Sequence, residues 1–451
     1  MNLVFLLSVV LKGLGAALEI AQQVIITDHL GIRGYGTYSA WINFADLLFW
    51  LGFSGLVKCN TYYLSGRNTS IRNFKKSYYL RYATPVLGAV ALLMVCSGRG
   101  FLICVVPVIT MLELLVLDTS STLLSRGESS ASLVGEYVLG RLALVVGSVV
   151  LGWLGLLRMQ SLMVLYILQY CLVLAFFLIR RGKNREYQEI SRDVSLKKWG
   201  AYQRSDLMHS MIAQMPVVMQ FWFSGAFEAG VVSVVLLVKK LINFISGPTA
   251  KIFLPEFSRL YRDGDQSKIR QVYGSIMRIQ MLVVGPMAVV LLGFPRVILR
   301  VLAEELVSYD WLFMGCSVIF LMVSTLGPCG GILQMTGNEK ADNRIRGWSL
   351  VLMAAVMVLT VRDSYFVLYG LCVEVAVEAI AKYLYICRWM GKTPASLGSY
   401  LSWWMVPAAS VGLAHLLNAG DSFWLMLLFA GSVFAVFGLR ELRESAVFKG
   451  K

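Results

Sequence analysis

The sequence predicts an all-α integral membrane protein of about 14 transmembrane helices. Hydrophobic residues make up 57% of the 451 positions and charged residues only 15%, whereas soluble domains carry about 25% charged residues. Apolar runs of roughly 17–25 residues, long enough to cross a bilayer, recur along the whole chain. Because backbone N–H and C=O groups in lipid must be satisfied internally, runs of this length are expected to form helices.

The apolar runs are separated by polar or glycine-containing connections, which set the predicted boundaries. A twelve-span alternative would require the last pair not to span, but both runs of that pair are apolar and a polar NAGD turn divides them. In chain order the predicted spans are 3–30, 36–62, 79–97, 100–124, 133–156, 160–179, 203–223, 229–254, 272–294, 311–334, 346–361, 365–387, 400–417 and 421–439.

Basic residues mark one side of the predicted membrane. Connections on one side are short, such as GIRGY and SGAFE, whereas those on the other are long and basic, such as SGRNTSIRNFKKS and GNEKADNRIR. Cytoplasmic loops carry an excess of Lys and Arg, so both termini are predicted to be cytoplasmic. The formal net charge of +15 is therefore interpreted as a topology signal, and no nucleic-acid partner is expected.

A short motif recurs along the chain. The segment GIRGYGTYS (31–39) and the segment GAFEAGVVS (225–233) share Gly, four residues, Gly, two residues and Ser. Each follows the first helix of a six-helix block, and transporters commonly contain such repeats with substrate handled between them. The predicted organisation is an N-terminal lobe at 1–182, a cytoplasmic linker at 183–200, a C-terminal lobe at 201–390, and a final helix pair with a tail at 391–451.

The segment KKLINFISGPTAKIFLPEFSRLYRDGDQSKIRQVYGSIMR, Lys239 to Arg278, resembles polysaccharide transporters around their eighth and ninth spans. The shared feature is a P-x-x-S-x-L corner, here Pro255, Ser258 and Leu260, followed by an acidic turn. The stretches HLGIRGYGTYSAWINFADLLFWLGFSGL and QMTGNEKADNRI are similar to the same family. The resembling proteins are Wzx-type flippases of lipid-linked oligosaccharides, in the MOP superfamily that includes MurJ-like flippases and MATE exporters.

The resemblance implies two pseudo-symmetric six-helix lobes in a V, with an appended helix pair. It implies a bacterial inner-membrane flippase that moves an undecaprenyl-diphosphate-linked oligosaccharide, such as an O-antigen or other surface polysaccharide unit of the lipopolysaccharide type, to the periplasmic leaflet by alternating access. Membrane lipids, and the polymerase and chain-length regulator of the same pathway, are the other implied partners. The alternative is a MATE-like cation or drug antiporter.

Four of the basic residues inside predicted spans are candidate cations for a diphosphate: Lys239, Lys240, Lys12 and Arg141. A charge at mid-bilayer costs about 2.5–3.5 kcal/mol, so such residues usually face a cavity or a partner. Adjacent helical residues point about 100° apart, so one of Lys239 and Lys240 is expected to face the substrate path. Ion pairs are the alternative role, with Lys240 beside Asp46, Lys12 beside Glu19, and Arg141 beside Glu113 or Asp118.

Three embedded acids, Asp46, Glu374 and Glu378, are candidate sites for H⁺ or Na⁺ coupling. Glu374, Glu378 and Lys382 are spaced four residues apart and share one helix face, so a structural stripe is the alternative. No other cofactor, no metal and no catalytic residue is expected, because the chain has three histidines, no CxxC pair and no nucleotide motif. The prediction is a transporter and not an enzyme.

Overall fold

The computed structural model describes residues 3–64, 69–70, 75, 88, 100–125, 128–180, 188–189, 196–393, 397–417 and 421–449. The chain divides into two compact units, residues 1–230 and 231–451. Predicted span seven therefore falls in the first unit. The lobe boundaries at 182, 200 and 390 stay a prediction. The predicted span 79–97, except residue 88, and most of the linker lie outside the described residues.

The first unit consists of helices wrapped around one long element, α1. Helix α7 packs along α1, α3 packs against α1, α2 and α6, and α5 contacts both α1 and α6. Two short strands, β1 (Thr69–Ser70) and β2 (Gln188–Glu189), pair in parallel with Thr69 opposite Gln188. The helices are α1 (Leu3–Phe53), α2 (Leu56–Leu64), α3 (Gly100–Ser125), α4 (Ser129–Val134), a π-turn (Gly135–Leu139), α5 (Gly140–Trp153), α6 (Met159–Arg180) and α7 (Leu196–Phe223).

Predicted spans one and two are two helices that meet at a kink, and the kink lies within the predicted GIRGY connection. Helix α1 runs through this segment and changes direction at Gly31, whose φ of 66° is left-handed. Glycine reaches this conformation without the steric penalty of a Cβ. The connection between the two helices is therefore a short bend at Gly31.

The two repeat motifs meet where α1 crosses the start of α8 (Ala226–Arg262). An ideal Cβ on Gly36 would collide with the carbonyl oxygen of Ala226 and approach the Gly230 nitrogen to 2.6 Å. An ideal Cβ on Gly230 would approach the carbonyl oxygen of Ile32 to 2.5 Å. Each glycine thus packs against the backbone of the other helix, one turn before the other glycine: Gly36 against Ala226, and Gly230 against Ile32. The contact is therefore reciprocal.

The second unit is built around α9. Its core contains Tyr273, Met277, Phe294 and Val433, and the predicted appended pair α15 and α16 packs on α9 and the π-turn that follows it. After α8, the elements are α9 (Gln266–Ala288), a π-turn (Val289–Gly293), α10 (Pro295–Leu302), a 3₁₀ turn (Glu304–Tyr309), α11 (Asp310–Ser324), α12 (Cys329–Met335), α13 (Glu339–Leu359), α14 (Phe366–Met390), α15 (Leu397–Leu416) and α16 (Phe423–Lys449).

Within the described ranges, six segments are long and apolar enough to cross a membrane. They coincide with predicted spans four, five, six, nine, ten and fourteen, and the total of fourteen stays a prediction. The segments are Val105–Leu124, Ala131–Trp153, Met159–Arg180, Gln266–Gly293, Glu304–Met335 and Phe423–Arg440.

Asp265 caps the N-terminus of α9. Its Oδ1 accepts a hydrogen bond of 3.0 Å from the Lys268 backbone N–H and one of 2.8 Å from the Ser267 hydroxyl. The backbone bond, together with the side chains of Lys268 and Ser267, lowers the pKa of Asp265 to about 2. A depressed folded-state pKa means that this stabilisation is present above the unfolded pKa of about 3.9 and is lost as the pH falls through the folded value.

Asp265→Ala is therefore expected to lower the melting temperature of the detergent-solubilised protein at neutral pH, because a capping acceptor is lost. The difference from the unmodified chain should shrink as the pH is lowered from about 7 to about 3. Asp265→Asn, which keeps an acceptor without the charge, is the control and should lose less. A difference that stays constant over this pH range would contradict the role of the carboxylate.

Candidate functional site

The interior of the second unit holds a network of charged side chains on α13 and α14. Lys382 Nζ lies 2.5 Å from Asp342 Oδ1 and also contacts Glu378. Arg346 Nε lies 3.1 Å from Glu378 Oε1 and its Nη2 lies 3.9 Å from Asp342 Oδ2. Asp342, Glu374 and Lys382 are exposed by only 0%, 1% and 3%, so these charges rely on one another and not on solvent.

The sequence spacing explains how the network assembles. Glu374, Glu378 and Lys382 share one face of α14, and that face lies against α13, where the Ser349 hydroxyl donates to Glu374 over 3.2 Å. The neighbouring helix α12 contributes the Gln334 amide, which donates to Asp342 over 2.9 Å. Gly330 on α12 leaves the required space, since a Cβ there would lie 3.2 Å from Asp342 Oδ1 and 3.3 Å from Lys382 Nζ.

Asp342 and Arg346 lie in or at the end of a segment that the sequence predicted to be a connection and not a helix. The segment GNEKADNRIR was expected to be a cytoplasmic connection, with the next span beginning at 346. Instead α13 begins at Glu339, and the side chain of Asp342 is fully buried. Pairing with Lys382 compensates this burial, and that partner lies forty residues away in the chain.

Lys239 lies at the edge of this network. Its side chain is half-buried, its Nζ lies 6.0 Å from the centre of the Phe320 ring, and it is within electrostatic range of Glu374 and Glu378. Among the described residues, no carboxylate oxygen lies within ion-pairing distance of Lys239 Nζ. With Lys239 included, three bases face three acids, so the set is balanced only while Lys239 carries its charge.

Lys240, the next residue, has an exposed side chain. The two lysines therefore point to different surroundings, as expected for adjacent positions of a helix. The predicted pairing of Lys240 with Asp46 stays a prediction. The side chain of Lys12 lies outside the described residues. Its contact with substrate or with Glu19 therefore stays a prediction.

Arg141 is paired with Glu19, and not with Glu113 or Asp118, which the sequence suggested as partners if Arg141 forms an ion pair. Arg141 Nη1 contacts Glu19 Oε2, and it also reaches the carbonyl oxygen of Gly15 at 3.5 Å. Both side chains are partly exposed, by 31% and 27%. Helices α5 and α1 pack against each other, and this ion pair links them. Asp118 instead pairs with Lys75 at 2.5 Å.

Asp46 lies beside Glu113, a residue whose importance the sequence did not reveal. The two carboxyls, on α1 and α3, are within electrostatic range of each other. Tyr166 and Tyr170 of α6 are within electrostatic range of both. In the part of the chain that the structure describes, no group of three or more His, Cys, Asp or Glu side chains is arranged to hold a metal ion.

Comparison with solved structures identifies the fold. Over 98% of this chain and 100% of the other, it is similar to the lipid II flippase MurJ in an inward closed conformation, with a TM-score of 0.69 and 12% sequence identity. The chain has the fold of the MOP superfamily transporters. No family model matches the sequence, and no curated protein matches it.

Two further structures share the fold over less of the chain. An inward-facing multidrug resistance MATE family transporter matches with a TM-score of 0.67 and 11% identity, over 86% of this chain and 98% of the other. A MOP superfamily transporter from Pyrococcus furiosus, whose binding pocket is described as having reverse polarity, matches with a TM-score of 0.58 and 12% identity, over 86% of this chain and 95% of the other. Part of this chain thus has no counterpart in either.

Proposed function

We propose that this protein is a flippase for undecaprenyl-diphosphate-linked oligosaccharides in the bacterial inner membrane, with both termini in the cytoplasm. The observation that carries the proposal is the environment of Lys239. This residue is a half-buried lysine with no described carboxylate in ion-pairing contact. The helix before it is buried from Ala229 to Val238 and is apolar there except for Ser233. A cation held in this way is suited to meet a diphosphate.

The extent of the structural match supports a flippase over a drug exporter. The lipid II flippase is matched over nearly the whole of both chains, whereas the MATE transporter leaves part of this chain unmatched. The name of that flippase states a lipid-linked substrate. We infer the same class of substrate here, with an O-antigen or related surface polysaccharide unit as the glycan, and with no catalytic step.

The proposed mechanism is electrostatic. The diphosphate carries the negative charge, and Lys239 offers a positive charge whose local counter-charges, Glu374 and Glu378, lie near but not in contact. Attraction to Lys239 offsets part of the desolvation of the anion. An inside-negative membrane potential then favours outward movement of the anion by about 2.3 kcal/mol per charge per 100 mV.

Replacing Lys239 with alanine is expected to abolish most surface glycan display in a host that lacks its own flippase. The measurement is the amount of surface polysaccharide, normalised to the amount of protein in the membrane. Lys239→Arg, which keeps a cation, should restore a substantial part. Lys240→Ala should cost less, because the two side chains point apart, and Lys340→Ala on the exposed face of α13 is the matched control. Full display with Lys239→Ala would overturn the proposal.

A MATE-like antiporter is the second candidate, because the carboxyls of Asp46 and Glu113 lie together in the first unit and suit a cationic cargo. The discriminating measurement is the drug sensitivity of a host that lacks its exporters. Expression of this chain is expected to leave sensitivity unchanged. Resistance that depends on Asp46 but not on Lys239 would favour the antiporter.

A further inference from the structure

Two cysteine thiols meet inside the second unit. Cys316 lies on α11 and Cys372 on α14, and their sulfur atoms are 3.6 Å apart, with the Cys372 thiol donating to Cys316. Both are free thiols, exposed by only 5% and 8%. They are 56 residues apart in the chain, and the packing of α11 against α14 brings them together. The pair is therefore held by two helices and not by a mobile loop.

The two cysteines lie near the same end of their helices. Cys316 is six residues after the start of α11 at Asp310, and Cys372 is six residues after the start of α14 at Phe366. At 1.5 Å per residue, each cysteine is about 9 Å along its helix. Both helices begin on the side that the sequence predicts to face away from the cytoplasm, and the bacterial periplasm is an oxidising compartment. A small oxidant from that side therefore has a short distance to cross.

The distance between the thiols suits oxidation to a disulfide. An S–S bond is about 2.05 Å long, so sulfurs 3.6 Å apart need to approach by about 1.5 Å. Hydrogen peroxide is small enough to reach thiols that are nearly buried. The first thiol and the peroxide give a sulfenic acid and water, and the second thiol displaces the sulfenic oxygen as a second water and forms the S–S bond. The two thiols thus lose two electrons and two protons, and the peroxide oxygens receive both.

The surroundings of the pair connect it to Lys239. Phe320, one turn after Cys316 on α11, has its ring centre 6.0 Å from Lys239 Nζ. Glu374, two residues after Cys372 on α14, is within electrostatic range of the same lysine. Lys239 is also within electrostatic range of Cys372, and a nearby cation stabilises the thiolate that attacks an oxidant. A bond between the two cysteines would therefore fix the two helices beside Lys239.

We propose that Cys316 and Cys372 form a modification site, at which a hydroperoxide oxidises the two thiols to a disulfide that ties α11 to α14 and slows transport. Disulfide formation does not depend on the proposed function, whereas its effect on transport rests on it. The bond restricts the movement of the two helices relative to each other, so the surroundings of Lys239 no longer rearrange around a large anion. A thiol reductant restores both cysteines by exchange, so the modification is reversible.

Peptide mapping of the purified full-length protein tests the disulfide without any substrate. The protein is treated with hydrogen peroxide, unfolded, blocked with N-ethylmaleimide and digested for mass spectrometry. The peptides of Cys316 and Cys372 are expected to be linked in most molecules, and a thiol reductant should separate them. Cys316→Ser and Cys372→Ser should each abolish the link. Cys329→Ser, which removes another thiol of the second unit that is also 5% exposed, should leave it.

Two results would overturn the site. One is oxidation of the exposed Cys171 while Cys316 and Cys372 both still react with N-ethylmaleimide, because the oxidant would then have acted without forming the bond. The other is a disulfide that joins either of the two thiols to a different cysteine of the chain, because the packing of α11 against α14 would then not select the partner.

Surface glycan display tests the effect on transport. In the host that lacks its own flippase, brief exposure to hydrogen peroxide is expected to lower newly displayed glycan several-fold, and a thiol reductant should restore it. Cys316→Ser should display as much glycan as the unmodified protein before exposure and keep it afterwards, whereas Cys329→Ser should respond like the unmodified protein. An equal fall in Cys316→Ser would overturn the effect on transport even if the disulfide forms in the unmodified protein. If the unmodified chain displays no glycan, the proposed function fails, while peptide mapping still decides the disulfide.

Discussion

Replacing Lys382 with methionine is expected to destabilise the protein more than any other single change in the second unit. Lys382 is 3% exposed and is in direct contact with both Asp342 and Glu378. Its loss leaves the buried Asp342 and the partly buried Glu378 with Arg346 as their shared described counter-charge. Removing one partner of a buried ion pair costs about 3–5 kcal/mol, because the charge that remains is uncompensated. The measurement is thermal melting in detergent, with the amount of folded protein in membranes as the second readout.

A second substitution separates charge imbalance from lost packing. In the double variant Lys382→Met with Glu378→Gln, Asp342 is left with Arg346, one acid with one base, and Glu374 keeps the Ser349 hydroxyl. The double variant should therefore recover much of the stability, as expected for residues that share one network. Lys392→Met, at an exposed position just beyond α14, is the control. If Lys382→Met melts like the unmodified protein, the network does not stabilise the fold.

The stripe on α14 shows what the sequence alone can predict. The spacing of Glu374, Glu378 and Lys382 places three charges on one helix face, because helical periodicity is a local property. Apolar runs likewise predict helices wherever a length of about 20 residues is needed to cross lipid. The spacing does not indicate which helix packs against this face of α14. Asp342 and Arg346 lie in a segment that is polar enough to suggest a loop, and only packing against α14 buries them.

The first unit shows the same limit. The depth of Arg141 in its span is readable from the sequence, but its partner depends on the rotation of α5 relative to α1. The sequence therefore suggested Glu113 and Asp118 as partners of Arg141 and Glu19 as a partner of Lys12, and only the placement of the helices reveals the pair of Arg141 with Glu19. Glu113 was visible only as a possible partner for a base, since nothing in a single sequence indicates that another acid lies beside it. The signal available was its position in an apolar run.

The repeat motif was the weakest sequence signal and has a clear structural correlate. Gly36 and Gly230 are counterparts in the motif, 194 residues apart, and each faces the backbone near the other. Both have ordinary helical backbone, so close approach and not an unusual φ requires glycine here. Small residues allow helices in membranes to come this close. The serine that ends each motif is buried in both copies.

Gly36→Val is accordingly expected to disrupt the crossing of α1 and α8. The first atom added would overlap the carbonyl oxygen of Ala226, and backbone atoms cannot rotate away as a side chain can. Forcing extra carbons into a packed site costs about 1–3 kcal/mol and occasionally more, and the effect should lie at the upper end because the obstacle is backbone. Gly230→Val should behave alike, since its Cβ would approach the Ile32 carbonyl. The melting temperature and the amount of surface glycan would both fall.

The matched control is Gly315→Val in α11. This glycine also lies inside a helix, but a Cβ there would have no atom within 4 Å, so the substitution adds the same atoms without a collision. Stability should be unchanged or slightly higher, because glycine is about 1 kcal/mol less favourable than alanine within a helix. Equal losses from Gly36→Val and Gly315→Val would show that valine in a helix is the problem. A loss of stability confined to Gly36→Val and Gly230→Val would identify the crossing of the two helices as the cause. Normal melting of both of these variants would mean that the two motifs do not need to meet for the protein to fold.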